Sequence, residues 1–145
     1  MILADDKRKE LQKLLDTLEG QKELERSGQR ERLIEKNRSV YRFREIKKTV
    51  ILPALRQCMV DLESKGHFTR LRQPSADKVR LDVQIHAAAA KRGAVEIALH
   101  ASEPDKVRVD YGWGWKVEHE VYALDQVEGT FVTDRVLYLV KGLLA

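Results

Sequence analysis

The sequence predicts an α+β fold in which N-terminal helices and a C-terminal helix cover one face of a four- or five-stranded antiparallel meander. Apolar residues recur at helical spacing before residue 66 and again after residue 133. Between residues 68 and 123, apolar and polar residues alternate with a period of two, as in strands with one covered face. The connections between these alternating stretches are short, which antiparallel hairpins allow and parallel crossovers do not. Helices followed by strands and then a helix favour α+β over α/β.

The chain is expected to divide into a charged helical arm, residues 1–38, and an α+β domain, residues 39–145. In the arm, residues 4–19 are expected to form a helix that Gly20 ends. Residues 21–38 are helical in composition but nearly all polar, and Ser27-Gly28 is expected to interrupt them. A helix that is polar all round needs a partner, so this second segment is expected to fray without one.

The main helix of the domain is predicted over residues 39–65, with Ser39 as its N-cap. Pro53 lacks a backbone donor and is expected to bend this helix just before its own position. A C-terminal helix is predicted over residues 134–144, capped by Thr133. Both helices carry an apolar stripe, and we expect them to cover the apolar face of the sheet.

Strands are expected within residues 68–123, with residues 68–72 as an additional edge strand. The apolar positions of the three clearest strands are Val79, Leu81, Val83 and Ile85, then Val95, Ile97 and Leu99, then Val107, Val109 and Tyr111. Residues 116–123 form a less regular fourth strand. One apolar and one polar face indicate a sheet that helices cover on one side only.

Composition narrows the class of protein. Hydrophobic residues make up 43% of 145, enough for one folded domain with a core. Residues 1–48 hold 14 Lys or Arg and 10 Asp or Glu, whereas the remainder holds 13 of each sign. Cys58 is the only cysteine, and no apolar run approaches the ~20 residues that cross a bilayer. With no apolar leader visible, we expect a cytoplasmic protein without a membrane partner.

The arm carries the clearest candidate interaction surface. Leu11, Leu14, Leu15 and Leu18 recur at helical spacing and fall on one stripe. This stripe has no evident place in a core made of one sheet and two helices. The stripe is therefore expected to pack on a second copy of the chain, on another protein or on the back of the domain.

Two features support nucleic-acid binding as an alternative. The start of the main helix is rich in cations that could contact phosphates: Arg38, Arg42, Arg44, Lys47 and Lys48. Tyr111, Trp113 and Trp115 stand among glycines and could stack on bases. Each feature has a plainer interpretation, a solvated helix face for the cations and the aromatic end of a hairpin for the rings.

A third hypothesis is a small enzyme that uses the polar sheet face. A hairpin centred near Lys91 would place His86 opposite Glu96 and His100 opposite Asp82 on that face. Asp110, Glu118 and Glu120 are expected on the same face near Arg108. Such groups are more often ordinary cross-strand pairs. No nucleophile, phosphate-loop or metal-ligand motif is present, so no catalytic, cofactor-binding or metal-binding residue is assigned. The sequence therefore favours a non-enzymatic interaction or assembly module.

Overall fold

The computed structural model describes residues 2–87 and 90–145, with side chains from Asp6 onward. It contains three α-helices, α1 (Ile2–Ile46), α2 (Leu52–Ser64) and α3 (Gly129–Leu144), with a π-helical turn, Lys47–Ile51, joining α1 to α2. The strands are β1 (Phe68–Ser75), β2 (Lys78–Ile85), β3 (Lys91–Leu99), β4 (Lys106–Trp113) and β5 (Lys116–Ala123). They lie in the order β1-β2-β3-β4-β5, and each neighbouring pair is antiparallel. The predicted α+β meander is confirmed, with five strands.

The chain separates into two compact units, Met1–Asn37 and Arg38–Ala145. The helical breaks expected at the start of the chain are absent between Asp6 and Ile46. Gly20 does not end a helix, and Gly28 does not interrupt one. A single glycine inside a helix costs only about 1 kcal/mol relative to alanine, which many good helix formers on either side offset.

Ser39 is not an N-cap, which corrects the prediction for the main helix. It lies inside α1 and is buried. Its hydroxyl accepts a hydrogen bond from the backbone N–H of Asp105 at 2.9 Å and donates to the carboxylate of the same residue at 3.1 Å. Asp105 has a φ of 54°, so this contact holds a left-handed residue in the β3–β4 turn. Local sequence could not indicate this role, because the partner lies 66 positions along the chain.

The π-helical turn lies where Pro53 was expected to disturb the main helix. Pro53 stands at the first turn of α2, where its missing N–H costs least. The wider turn just before it is the kind of irregularity that bends a long helix. Ile51, Leu52, Leu55 and Cys58 turn inward from this region and are buried against the sheet.

The core lies between α2, α3 and one face of the sheet, as predicted. The inward positions of β2, β3 and β4 are the apolar residues expected from the alternation. From α3, Val132, Val136, Leu139 and Leu143 complete the core. The C-terminal helix begins five residues earlier than expected, and Thr133 lies inside it rather than capping it. The Thr133 hydroxyl donates to the Gly129 carbonyl at 3.1 Å, a bond within the helix.

The register of the first central hairpin differs from the prediction. Ile85 pairs with Lys91, so Asp82 lies opposite Ala94, and Glu96 lies opposite Arg80. The turn is therefore centred before Lys91, and residues 88 and 89 of the predicted turn lie outside the described residues. The alanines between His86 and Lys91 carry no turn signal, which is why the centre was misplaced. None of the helices described here is long and apolar enough to cross a membrane.

Candidate functional site

The leucine stripe of the first unit is open to solvent. Leu11, Leu14, Leu15 and Leu18 each keep between 50% and 60% of their surface exposed. Leu24 and Ile34 are also exposed, but each lies more than about 120° around the helix from the centre of the stripe. Leu33 lies on the stripe side, but about 22 Å beyond its end. The stripe is therefore a short, exposed apolar surface on an otherwise polar stretch of helix.

Charges on either side of the stripe are separated by sign. The basic block, residues 7–13, holds four cations and one carboxylate, a net charge of +3. The acidic block, residues 16–25, holds four carboxylates and one cation, a net charge of −3. The four leucines straddle the junction of the two blocks. This end-to-end polarity makes the two directions along the helix electrostatically different.

The cations expected to contact phosphates are mostly engaged within the protein. Arg42 pairs with Asp105 at 2.8 Å and also contacts Asp125. Arg44 pairs with Asp77 at 3.2 Å, and Lys47 donates to the carbonyl of Ala76 at 2.8 Å. These contacts tie the end of α1 to turns at one end of the sheet.

Arg38 and Lys48 complete the predicted set. Within the part of the chain that the structure describes, neither residue contacts a carboxylate. The phosphate-binding role of the cluster stays a prediction, supported now by these two side chains rather than by five.

The aromatic segment is divided between core and solvent. Tyr111 is only 1% exposed, and its ring packs edge-on against Tyr138 of α3 with centroids 4.9 Å apart. Trp113 packs against Tyr138 as well, and Gly142 of α3 lies directly against its indole. Neither ring is free to stack on a ligand, so that hypothesis keeps only Trp115, which is 94% exposed in the β4–β5 turn.

The histidines do not form the expected group, because the hairpin register is different. His86 follows β2 and His100 follows β3, so the two lie at opposite ends of the sheet. The backbone N–H of His86 donates to Nδ1 of His67 at 3.0 Å. Nδ1 of His100 accepts backbone N–H groups of the following turn, at 2.9 Å from Glu103. The imidazoles of His67 and His100 thus organise the chain next to strand ends, and His86 contributes its backbone N–H.

Two of the predicted carboxylates lie on the opposite sheet face. Glu118 and Glu120 pair in register with Tyr111 and Val109, so they face α3 rather than the open side. Glu120 pairs with Arg135 at 3.1 Å. Glu118 accepts a hydrogen bond from the Tyr138 hydroxyl, which lowers the pKa of that carboxyl and raises the pKa of the phenol. These groups fasten the edge strand to α3, and that explains their position.

The open face of the sheet carries paired charges. Asp82 accepts from Arg72 at 2.7 Å and from Arg80 at 3.0 Å. On the other side, Asp110 accepts from Arg108 at 2.8 Å and lies 2.6 Å from Nδ1 of His119. Salt bridges this exposed contribute little to stability. Their effect here is to neutralise the carboxylates of the face.

A trough of about 760 Å³ runs over this face. Its floor includes small residues, Ala94 and Gly112, which lie opposite each other on β3 and β4. Long side chains form its walls, and two of them are Arg70 and Arg92. Within the described parts of the chain, neither of these guanidinium groups has a carboxylate at ion-pair distance. This pair was not predicted from sequence, because charge pairing depends on strand register.

No protein-family model, curated protein or solved structure matches this chain. Function must therefore be inferred from the surfaces themselves.

Metal-ligand groups and the thiol were two further candidates for a chemical site. In residues 2–87 and 90–145, no three His, Cys, Asp or Glu side chains are grouped so as to hold a metal ion. Burial raises the pKa of the Cys58 thiol, which disfavours the nucleophilic thiolate. Two surfaces stand out instead, the leucine stripe of the first unit and the arginine-walled trough of the second.

Proposed function

We propose that this chain is a non-enzymatic assembly module that self-associates through the leucine stripe of α1. The observation that carries the proposal is the exposure of four adjacent leucines on an otherwise polar stretch of helix. Covering the exposed half of these side chains contributes roughly 3–7 kcal/mol, before the cost of ordering and of association. A polar helix with one apolar stripe is the pattern of a helix that packs against a partner.

The arrangement of leucines and charges favours a second copy, running antiparallel, as the partner. In an antiparallel pair centred between Leu14 and Leu15, these two residues face each other and Leu11 faces Leu18. The same arrangement sets the basic block, with a net charge of +3, against residues 16–22 of the other copy, twice over. This facing part of the acidic block holds Asp16, Glu19 and Lys22, a net charge of −1. A parallel pair would instead set like charges side by side. Electrostatic complementarity selects partner and orientation more than it adds affinity.

The mass of the full chain in solution tests self-association. Sedimentation equilibrium of the wild type is expected to show reversible dimers in the micromolar range. Leu14→Gln with Leu15→Gln should give monomers, because it places polar groups at the centre of the stripe. The matched control is Leu24→Gln with Ile34→Gln, which removes as many exposed apolar residues off the stripe and should still dimerise. A wild type that stays monomeric at high micromolar concentration contradicts the proposal.

Cysteine cross-linking tests the orientation separately. Lys7 and Lys22 lie on the stripe side of α1 at equal distances from its centre. Oxidising a mixture of Lys7→Cys and Lys22→Cys chains should give the mixed disulfide. Lys7→Cys alone should not cross-link, because its counterpart on the second copy lies about 22 Å along the helix pair. The single native cysteine, Cys58, is buried, and the wild-type chain measures the background of cross-linking. Cross-linking of Lys7→Cys with itself would show a parallel pair.

A further inference from the structure

We infer that the open face of the sheet binds single-stranded nucleic acid, with Arg70 and Arg92 contacting phosphates and with Phe68 and Trp115 stacking on bases. This site differs from the basic cluster at the end of α1 and does not depend on self-association. It rests on three observations on the second unit: the charge balance of the trough, the shape of its floor, and the position of the exposed aromatic rings.

The charge balance favours an anionic ligand. The three carboxylates of the trough, Asp82, Glu96 and Asp110, all have a cationic neighbour. Two arginines form salt bridges with Asp82. Asp110 forms a salt bridge with Arg108 and contacts the imidazole of His119. Arg70 and Arg92 are left with no carboxylate partner in the described chain, and both line the trough. A planar guanidinium with its donors free is the group best suited to phosphate oxygens.

The floor of the trough gives a ligand room close to the backbone. Ala94 is only 9% exposed although neither α2 nor α3 covers this face, because longer side chains rise around it. Gly112, opposite Ala94, has no side chain at all. The resulting depression extends across all five strands and is larger than a single phosphate requires. An extended chain is the kind of ligand that fits this shape.

The exposed aromatic rings lie at the end of the sheet where Arg92 lies. Phe68 begins β1 and is 60% exposed, and Trp115 lies in the turn that begins β5. Arg92 is near the start of β3, the central strand, so the order across this end is aromatic ring, guanidinium, aromatic ring. The outer strands are about 19 Å apart at the usual strand spacing. Cations combined with aromatic rings are typical of single-strand binding, because every base has a face that can stack.

An acidic peptide would satisfy the two arginines but would leave the rings unused. Nucleic acid uses both, and it is therefore the ligand that we propose. Competition with an acidic peptide separates the two classes.

Fluorescence anisotropy of labelled twelve-nucleotide oligo-U and oligo-dT, titrated with the full chain at low salt, tests the site. Arg70→Ala with Arg92→Ala is expected to weaken binding by about tenfold or more, since each phosphate loses a charge-assisted hydrogen bond. The slope of log affinity against log salt should fall by about 1.4, at about 0.7 for each phosphate contact on a single strand. Trp115→Ala should weaken binding by about tenfold or more.

The matched control is Arg56→Ala with Lys65→Ala, which removes the same charge from exposed positions of α2 and its C-terminal cap, on the covered side of the sheet. At 0.15 M salt it should retain affinity to within about twofold, because charges more than about 8 Å from the ligand are largely screened there. Equal losses in both double variants, no binding even at low salt, or equally tight binding of poly-glutamate would each overturn the inference. A second readout, tryptophan fluorescence, does not depend on whether the arginine variants fold. Oligonucleotide should quench the part of the wild-type emission that Trp115→Phe lacks, and a quench that persists in that variant contradicts stacking.

Discussion

At the residue scale, Gly93 is a point of very close approach between the sheet and α3. A Cβ atom at this position would lie 2.8 Å from the carbonyl oxygen of Gly112 and 2.9 Å from Cδ1 of Leu139. The first of these is a backbone atom and cannot turn aside. Because Gly93 has no side chain, Leu139 and Leu143 can pack this closely on β3.

Gly93→Ala should lower the free energy of unfolding by about 1–3 kcal/mol, because the added methyl group overpacks the core. Gly112→Ala is the matched control on the paired strand, since no atom of the described chain beyond its two neighbours lies within 4 Å of the place where its methyl group would stand. Urea denaturation monitored by circular dichroism measures both. Equal stability of the two variants would show that α3 can move away from the sheet at little cost.

Tyr111 is a second residue whose environment has a measurable consequence. Its hydroxyl is buried and has no hydrogen-bond partner in the described part of the chain. Removal from water raises the pKa of Tyr111 to about 12, despite the opposing effect of nearby Arg135. The folded state thus keeps the proton of Tyr111 at a pH where the unfolded chain, with an ordinary pKa near 10, has lost it.

Tyr111→Phe should therefore leave stability at pH 7 unchanged or raise it by up to about 1 kcal/mol, because an unpartnered hydroxyl is removed. Between about pH 10 and 12 the wild type should lose up to about 1.4 kcal/mol per pH unit that the variant keeps, since its unfolded state releases the proton first. Denaturation curves across this range measure the difference, and Tyr41→Phe, at a solvent-exposed ring, is the control. Parallel pH profiles for wild type and Tyr111→Phe would show that the hydroxyl has a partner.

At the scale of single elements, α1 depends on many weak preferences rather than on packing. Most of it belongs to the unit Met1–Asn37, which is helical throughout its described residues, and two glycines lie inside the helix. Apart from the neighbouring residues and the backbone of the helix itself, no atom of the described chain lies within 4 Å of the place where a Cβ of Gly20 or Gly28 would stand. Nothing in the described structure requires glycine at these two positions.

Gly28→Ala should raise the helix content of the full chain, because alanine is about 1 kcal/mol better than glycine inside a helix. Circular dichroism at 222 nm measures the change. Gly66→Ala is the contrasting variant, because Gly66 follows the end of α2 with a φ of 86°, and a side chain there strains the turn. A drop in helix content with Gly28→Ala would indicate that the helix is broken at this glycine in solution.

At the scale of the molecule and its assembly, association and folding are expected to be linked. If covering the leucine stripe stabilises α1, the helix should be more fully formed in the dimer than in the monomer. The opposed charge blocks of an antiparallel pair should also make the association weaker in salt.

Ellipticity at 222 nm and average mass should therefore rise together with protein concentration, and added NaCl should shift both transitions to higher concentration. The variant with Leu14→Gln and Leu15→Gln should show neither dependence. A mass that rises while ellipticity stays constant would mean that α1 is fully formed before association.

Sheet faces were easier to predict than strand registers. Alternation placed Val79, Leu81 and Val83 on the covered face correctly, because the covered face depends only on the period of two. It did not identify the partner of Asp82, because the partner depends on a turn without glycine or asparagine. The predicted register differed from the observed register by an even number of residues, so it kept the side chains of this hairpin on their correct faces. The observed register, however, places His86 and His100 beyond opposite ends of the sheet. The arginine-walled trough could not be predicted for the same reason.

The edge strand shows a different limit. In β5 the valines Val117 and Val121 lie on the open face, while Glu118 and Glu120 face α3. Hydrophobicity alone suggests the reverse. The carboxylates are stable there because Arg135 and Tyr138 meet them, and those residues lie on a helix that follows in the chain.

The α+β class, the meander, the covered sheet face and the leucine stripe could all be predicted from the chain alone, because each follows from a local period of side chains along one element. Folding in three dimensions was needed to establish which charges are neutralised, which aromatic rings are buried and where Arg70 and Arg92 stand. These features depend on contacts between residues far apart in the chain, and such contacts form only when turns set the register and helices dock on the sheet.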